Sequence, residues 1–195
     1  MKTALDLSLL EVQQLTHFIR PIQADLIARY DEGKYPPEIY TEIKQAFSID
    51  QSEKPNLEVA LKWKWGHQGK SNFPSKQKAL IQRVESRWKD FSMKRSRLVP
   101  KETFDYWRKS LTPASYITAA FLTHLLHFEK VPIIDQHNYR AMNDLVRRVR
   151  QGHLTKKRPS NWNDLEMLKS FMTVLAPKCC LENGRFDRFM MMYGK

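Results

Sequence analysis

Hydrophobic residues recur at helical spacing along most of this chain. Apolar side chains return every three or four positions, which places them on one face of a helix. One such run comprises Leu7, Leu10, Leu15, Phe18 and Ile19. Glycine is scarce, with 6 residues, and no stretch alternates apolar and polar residues for long, as a half-buried strand would. The pattern therefore predicts an all-α fold, a helical bundle.

The ten prolines lie at or beside the joints between these apolar stripes. Helices begin and break at such positions, because proline has no backbone N–H to donate. No internal repeat, low-complexity tract or flexible linker interrupts the pattern, so the 195 residues are interpreted as a single domain. The predicted helices span residues 5–19, 21–31, 36–48, 56–65, 75–90, 101–109, 113–128, 136–151, 162–176 and 183–192.

Basic residues outnumber acidic ones by 33 to 21, which gives a net charge of +12. This balance favours a polyanionic partner, since neutralising phosphates releases counterions. A generally basic surface is the alternative. The cluster at residues 62–78 is the most informative one, because Trp63, Trp65, His67 and Phe73 interrupt its lysines. Lysines interleaved with aromatic residues are typical of surfaces that hold phosphates and unstacked bases.

Several protein classes are excluded or disfavoured by composition. No stretch approaches the roughly 20 apolar residues of a membrane span, and the start of the chain lacks the basic and apolar regions of a signal peptide. We therefore expect a cytoplasmic protein. The only cysteines, adjacent Cys179 and Cys180, cannot hold zinc or an iron–sulfur cluster by themselves. His124 and His127 have no third ligand at useful spacing, so buried or capping histidines are favoured, and we expect no metal or cofactor.

One acidic residue is placed unusually, in the stretch VPIIDQHNYRAMN. Asp135 follows an apolar run, Val131 to Ile134, and precedes a basic segment with helical spacing. A carboxylate there can cap the helix, accepting backbone N–H bonds at the positive end of the helix dipole. It can equally serve as a catalytic group at the mouth of a cleft. Capping alone explains many such aspartates, so both interpretations are kept.

Upstream of Asp135, residues 107–120 predict a helix, a tight turn and a second helix. The small residues Ala114, Ser115, Ala119 and Ala120 would let the second helix pack closely. Its N-terminal amides, with Arg108 and Lys109 beside them, form a suitable cradle for a backbone phosphate.

These two segments together resemble the helix-hairpin-helix DNA glycosylase superfamily. Residues 111–119, LTPASYITA, correspond to the hairpin motif LPGxGxK/xTA, and Ile134-Asp135-Gln136-His137 to the VDTH segment with the catalytic aspartate. Members with lyase activity carry a lysine 18 residues before that aspartate, and Ile117 occupies this position here. Both hairpin glycines are replaced, by Pro113 and Ser115, and the optional four-cysteine cluster is absent. The resemblance covers roughly residues 56–150.

The resemblance implies a monofunctional DNA glycosylase with two lobes, residues 56–130 and residues 1–55 plus 131–195, and a cleft between them. Asp135 would be catalytic, and the enzyme would act as a monomer on double-stranded DNA without lyase activity. His137 would contact a phosphate or brace the cap. The residues expected to contact DNA are Arg108, Lys109, Thr112, Ser115, Tyr116, Thr118, His137 and Arg140.

The stretch LKWKWGHQGKSNF, residues 61–73, lies where the superfamily places its base pocket and wedge. Trp63 and Trp65 are two positions apart, so on a helix one should pack in the core while the other faces the cleft. The alternative is a helix C-terminus capped by Gly66 and followed by a solvated basic loop. The residues expected to form the pocket or wedge are Trp63, Trp65, His67, Gln68, Lys70 and Asn72.

The excised base is not specified by the sequence. A damaged base is the default, and a hypermodified base of phage DNA is the other candidate, which would make the protein a phage-defence enzyme. A different class of function also fits the residues: a non-catalytic helical DNA-binding module in which Asp135 is only a helix cap. Net charge alone does not distinguish DNA from RNA.

Overall fold

The all-α prediction is confirmed. The computed structural model describes residues 5–48, 53–70, 72–112, 116–152 and 156–195, and these residues form ten α-helices, a short 3₁₀ helix at Arg95–Arg97 and no strand. The helices are α1 (Leu9–Ile19), α2 (Gln23–Ala28), α3 (Pro37–Ala46), α4 (Leu57–Lys64), α5 (Ser75–Ser92), α6 (Pro100–Ser110), α7 (Tyr116–Leu126), α8 (Gln136–Val149), α9 (Trp162–Lys178) and α10 (Asn183–Tyr193).

Helix boundaries differ from the predicted ones where a cap decides them. α1 begins four residues later than predicted because Ser8 is its N-cap, with reciprocal bonds between Ser8 and Glu11. Such a capping box satisfies backbone donors that the first helical turn leaves unpaired. α2 is shorter than the predicted 21–31, since Ile22 provides no side-chain cap and no residue of α2 is buried. Local side-chain chemistry therefore sets these ends.

The chain divides into two compact units. A central unit comprises Asp31–Val131, and a terminal unit comprises Met1–Tyr30 with Pro132–Lys195. The predicted lobe boundary at residue 56 is therefore corrected to residue 31. The physical reason is that residues 31–48 pack within the central unit: Trp63 donates to the carbonyl of Pro36 at 2.9 Å, and Phe47 lies edge-on to Trp88.

The central unit is built around α7, which is buried on almost every side. Ten of its eleven residues are buried, including Ala119 and Ala120 with no exposed surface. A helix that is apolar all round belongs in a core. α6 packs beside α7, and Trp107 of α6 is fully buried against Phe91 and Trp88 of α5. Ala119 and Ala120, two of the four small residues predicted to allow close packing, are fully buried, whereas Ala114 and Ser115 lie outside the described residues.

The terminal unit is organised by α8 and α10. α8 buries one face of apolar residues, among them Met142, Leu145 and Val146, while α10 contributes Phe186 and Phe189. α8 packs against α10, α1 and α9. The final helix therefore serves core packing, as its aromatic and methionine stripe predicts.

Both cysteines are free thiols, with Cys179 buried and Cys180 exposed. Among the described helices, none has the length and apolar character required to cross a membrane.

His124 is a buried histidine of the central unit and not an open metal ligand. It is 5% exposed, its Nε2 meets the hydroxyl of Tyr40, and its Nδ1 lies 2.6 Å from the carbonyl oxygen of Val131. Burial, together with the ammonium groups of Lys64 and Lys44, lowers the pKa of His124 to about 4. His124 is therefore neutral in the folded protein at neutral pH, which matches the predicted buried histidine.

We expect this histidine to make the protein sensitive to mild acid. The unfolded chain binds the proton near pH 6.5 and the folded chain only near pH 4, so stability is full above pH 6.5 and is lost as pH falls towards 4. The free energy of unfolding should drop by about 2 to 3 kcal/mol between pH 7 and pH 4.5 through this group alone. Urea titrations of the wild type and His124→Gln measure the difference.

The His124→Gln variant should lack this part of the pH dependence, even if it is less stable overall. NMR of the wild-type imidazole is a direct check that does not need the variant to fold. An imidazole that titrates near pH 6.5 in the folded protein would contradict the prediction.

Candidate functional site

Asp135 is the N-cap of α8. The chain reaches it through Val131 and Ile134, which are 1% and 0% exposed, and Asp135 itself is half-buried with extended backbone. Its Oδ1 accepts the backbone N–H groups of His137 at 2.7 Å and Asn138 at 3.0 Å. The carboxylate thus lies at the positive end of the helix dipole, where a negative charge is stabilised. Both the capping geometry and the apolar approach predicted from the sequence are present.

The buried side-chain amide of Asn138 also holds the backbone that leads into α8, at Ile133 and Asp135. Asn138 is 1% exposed, and its Oδ1 accepts the N–H of Asp135 at 2.8 Å, which completes a capping box. Its Nδ2 donates to the carbonyl of Ile133 at 2.7 Å and to Asp187 Oδ1 on α10 at 3.1 Å. Asp187 was not foreseen from the sequence, because it lies 49 residues from Asn138 and no local pattern connects them.

His137 and Arg140 both contact the end of α10. The carbonyl of Gly194 lies 3.4 Å from Nδ1 of His137 and accepts an N–H of Arg140 at 3.0 Å. A side chain on Gly194 would overlap the backbone carbonyl of His137, so only glycine permits this approach. Bracing of the cap region, one of the two roles predicted for His137, matches this contact. Contacts of His137 and Arg140 with a phosphate stay predictions.

The two helices predicted to flank the hairpin are present as α6 and α7. α6 ends at Ser110 and α7 begins at Tyr116, and Ser115 lies outside the described residues. Thr112 is exposed, and its hydroxyl donates to the carbonyl of Arg108 at 2.9 Å. Arg83 of α5 donates to the carbonyl of Thr112 at 3.2 Å. Arg83 therefore holds the entry of the turn, a role that no sequence signal indicated.

The remaining hairpin residues differ in accessibility. Lys109 is exposed and Arg108 half-exposed, with the Arg108 guanidinium 5.9 Å from the centre of the Tyr116 ring. Tyr116 is 8% exposed and packs edge-on to Phe104. Thr118 is 2% exposed, since α7 is buried on that side, so its predicted contact with DNA is wrong for this structure. The accessible cations of the hairpin are Arg108 and Lys109.

In the 61–73 stretch, Trp63 is the core tryptophan. It is 6% exposed and stacks between Tyr40, at 4.7 Å, and Phe121, at 6.0 Å between ring centres. Its burial rules it out as a wedge in this structure. Trp65, at the end of α4, is half-exposed beside Phe73. The prediction that only one of the two tryptophans packs in the core is confirmed.

Gly66 ends α4 as the alternative prediction stated. Its φ is +64°, in the left-handed region, and the N–H groups of Gly66 and His67 donate to the carbonyls of Trp63 and Lys62, both at 2.9 Å. This pattern is a Schellman cap. Gln68 then folds back, and its amide donates to the carbonyl of Val59 at 2.9 Å. Gln68 is therefore engaged in holding the loop, which makes it a poor candidate for reading a base.

Three other pocket candidates lie on the surface of this loop. Lys70 and Asn72 are exposed, and His67 is half-buried with its ring edge towards Phe73. These three residues are neighbours in the structure, as the sequence implies, because they lie in one short loop. Lys34, from a distant segment, also packs against this loop at Gly66, and no sequence signal indicated that contact.

The arginines near the end of α8 have protein partners. Arg150 forms two bonds of 2.8 Å to the carboxylate oxygens of Glu11, and Arg147 pairs with Asp144. The Arg150 guanidinium and the N–H of Ser8 lower the pKa of Glu11 to about 2. This part of the basic cluster is used for structure.

A second carboxylate in the terminal unit is more deeply buried than Asp135. Asp164 of α9 is 2% exposed and accepts from the hydroxyl of Tyr139 at 3.0 Å, from Lys156 at 3.1 Å and from the N–H of Ser160 at 2.7 Å. Burial by itself would raise the pKa of Asp164, but these hydrogen bonds outweigh it and keep the pKa below its ordinary value. Sequence reasoning missed this network, although the Asn161–Asp164 capping box was a usable signal.

Searches with protein-family models, among curated proteins and among solved structures found no match to this chain. The resemblance to the glycosylase superfamily stays a prediction that depends on the residues described above.

Proposed function

We propose that this protein is a monofunctional DNA glycosylase, which hydrolyses the N-glycosidic bond of a modified or damaged base and leaves an abasic site. The observation that carries the proposal is the placement of Asp135 at the N-cap of α8, directly after the buried residues Val131 and Ile134. In the sequence, this cap follows α6 and α7, the two helices of the predicted hairpin. The interval of 18 residues between Ile117 and Asp135 supports the same register.

The proposed mechanism assigns Asp135 two tasks. Cleavage of an N-glycosidic bond develops positive charge on the sugar, and an ionised carboxylate stabilises that charge. The same carboxylate orients and deprotonates the attacking water. Two backbone donors fix Oδ1 of Asp135, so the group needs no rearrangement when charge develops. This preorganisation is the main physical support for a catalytic role.

The base must leave the duplex before this chemistry. Flipping costs a few kcal/mol and needs a side chain that fills the gap. Trp65 and Asn72 are accessible candidates in the loop after α4, whereas Trp63 is buried. Arg108 and Lys109 are the hairpin cations proposed to hold the backbone.

We propose no lyase step. That chemistry requires an amine that forms a Schiff base with the sugar, and the position which carries the lysine in lyase members is Ile117 here. The expected product is therefore an intact strand with an abasic site. A damaged base is the default substrate, and a hypermodified phage base is the alternative substrate, with a role in phage defence.

A second candidate function is supported by the same cap. The carboxylate of Asp135 accepts two backbone N–H groups, which is all that an N-cap requires. The replaced hairpin glycines also favour a non-catalytic DNA-binding module. Under that proposal the protein binds duplex DNA and releases no base.

The experiment that separates the two functions is a base-release assay read by mass spectrometry. The protein is incubated with duplexes that carry damaged, mismatched or hypermodified bases, and free bases and strand breaks are measured. A released base with uncleaved abasic sites supports the glycosylase. Salt-sensitive binding without release from any duplex supports the binding module, and a strong preference for RNA in competition would contradict both.

A further inference from the structure

The loop after α4 meets a distant lysine. Gly66 has no side chain, and the stem of Lys34 passes over it, so that a Cβ at Gly66 would overlap Cε of Lys34 and lie 3.0 Å from the hydroxyl of Tyr35. Lys70 closes the next turn, where its N–H donates to the carbonyl of His67 at 3.2 Å. Two exposed ammonium groups from separate segments therefore flank His67.

The ring of His67 has an unusual hydrogen-bonding state. Its Nδ1 is covered and has no partner among the described residues, and no other bond of the ring is present there. Burial, Lys70 and Lys34 all lower the pKa of His67, so the ring is neutral at neutral pH. A covered nitrogen without an acceptor is better left unprotonated, because a buried N–H without a partner is costly. The neutral ring then keeps its proton on Nε2, as a donor.

The backbone of the loop adds further donors. Within the part of the chain that the structure describes, the N–H groups of Gln68 and Gly69 have no backbone acceptor, and Gly69 has a φ of +70°. Turns with such a residue often present successive N–H groups to an anion. Beside this turn, Trp65 offers a half-exposed aromatic ring.

We propose that Lys34, His67 and Lys70 form a binding site for a backbone phosphate of DNA, distinct from the hairpin contacts. Two ammonium groups, an imidazole N–H and backbone amides match the charge and acceptors of a phosphodiester. The nearby Trp65 favours a nucleic-acid strand over a free phosphate, because an unstacked base next to the phosphate can lie on its ring. The inference depends on DNA being the partner but not on catalysis.

The first measurement is the salt dependence of binding to an unmodified DNA duplex, by fluorescence anisotropy. One lost phosphate contact should reduce the slope of log affinity against log salt by about 1. We expect this reduction for the double variant Lys34→Gln/Lys70→Gln, with affinity lowered roughly 5- to 20-fold at fixed salt and equally for unrelated sequences. Lys34→Arg/Lys70→Arg keeps both charges and should restore most of the affinity.

The matched control removes the same net charge elsewhere in the central unit. Lys54 and Lys101 have side chains that are 50% and 60% exposed, and each forms an ion pair, with Glu85 and Asp105 respectively. The double variant Lys54→Gln/Lys101→Gln should change the slope by much less. Equal slopes for the two double variants would overturn the proposal, since net charge would then explain the whole effect.

The second measurement places the anion at His67. Inorganic phosphate at millimolar concentration should shift the NMR signals of the His67 imidazole saturably, and Lys34→Gln/Lys70→Gln should abolish the shift. Signals that do not move would overturn the site. A shift with phosphate but an unchanged DNA slope in the lysine variant would mean an adventitious ion only, and would also overturn the DNA site.

These results are independent of the proposed catalysis. A reduced slope with no base release from any duplex leaves the phosphate site in place and removes the glycosylase. Base release with an unchanged slope removes the phosphate site alone. An RNA duplex of the same sequence, run in parallel, shows whether the site is selective for DNA.

Discussion

Asp135→Asn is expected to lower base release at least 100-fold while the protein stays folded and bound to DNA. The amide has the same shape and can still accept the N–H groups of His137 and Asn138, so it remains a good N-cap. It carries no negative charge, however, and cannot stabilise a developing positive charge on the sugar or deprotonate water. Single-turnover base release and anisotropy binding, measured on one duplex, give the two quantities.

Asp135→Ala serves as the structural comparison. It removes the cap as well as the charge, and should cost about 0.5 to 2 kcal/mol of stability, while Asp135→Asn should cost only a few tenths. If the two variants lose activity equally but differ in stability, the charge is responsible for catalysis. An Asp135→Asn protein that releases base at the wild-type rate would refute the catalytic assignment and leave Asp135 as a cap.

The largest effect on stability is expected from Asp164→Ala. The variant would leave the hydroxyl of Tyr139, which is 2% exposed, without its acceptor. It would also remove the acceptor of the N–H of Ser160, but Ser160 is exposed and water can replace that bond. Each buried polar group left unpaired costs about 1 to 3 kcal/mol. Lys156 loses less, because its side chain is about half exposed and water can solvate the ammonium. We expect the free energy of unfolding to fall by about 2 to 4 kcal/mol, measured by urea denaturation.

Asp144→Ala is the matched control in the same unit. Asp144 pairs with Arg147 near the surface, where such a pair contributes about 0 to 1 kcal/mol.

Folding lowers the pKa of Asp164 below 3.8, so the stabilisation by Asp164 is full above that pH and is lost as pH falls further. A loss below about 1 kcal/mol for Asp164→Ala at pH 7 would contradict the importance of the network. Tyr139→Phe removes one bond, while Oδ1 of Asp164 keeps its bond to Lys156, and its effect should lie between those of Asp164→Ala and Asp144→Ala.

Much of the fold was predictable because its signals are local. A helical period shows within a dozen residues, and caps such as Ser8 with Glu11 act over three. The start of α1 was missed although its Ser8 cap is local. The other failures came where a boundary depended on packing. α2 is short because it buries no residue, and residues 31–48 belong to the central unit through contacts with Trp63 and Trp88.

In the candidate site, too, local features could be predicted and long-range contacts could not. The sequence by itself determined that Asp135 caps a helix after an apolar approach, that Gly66 ends α4, and that one of two tryptophans enters the core. The two caps depend on interactions between residues at most five apart, where the backbone geometry of a helix or a turn leaves few alternatives. For the tryptophans, helix geometry determined that the two side chains point to different sides, while the contacts of Trp63 with Pro36 and Phe121 come from the tertiary structure.

Only the tertiary structure decided which distant groups meet. Asn138 bonds to Asp187 across 49 residues, Arg83 reaches Thr112 across 29, and Lys34 crosses Gly66 from another segment. It also decided that Thr118 is buried and that Lys70 is exposed. A periodic pattern shows that a helix has a buried face, but the partner of each polar side chain depends on how whole helices pack, and that is set by the sum of many weak contacts.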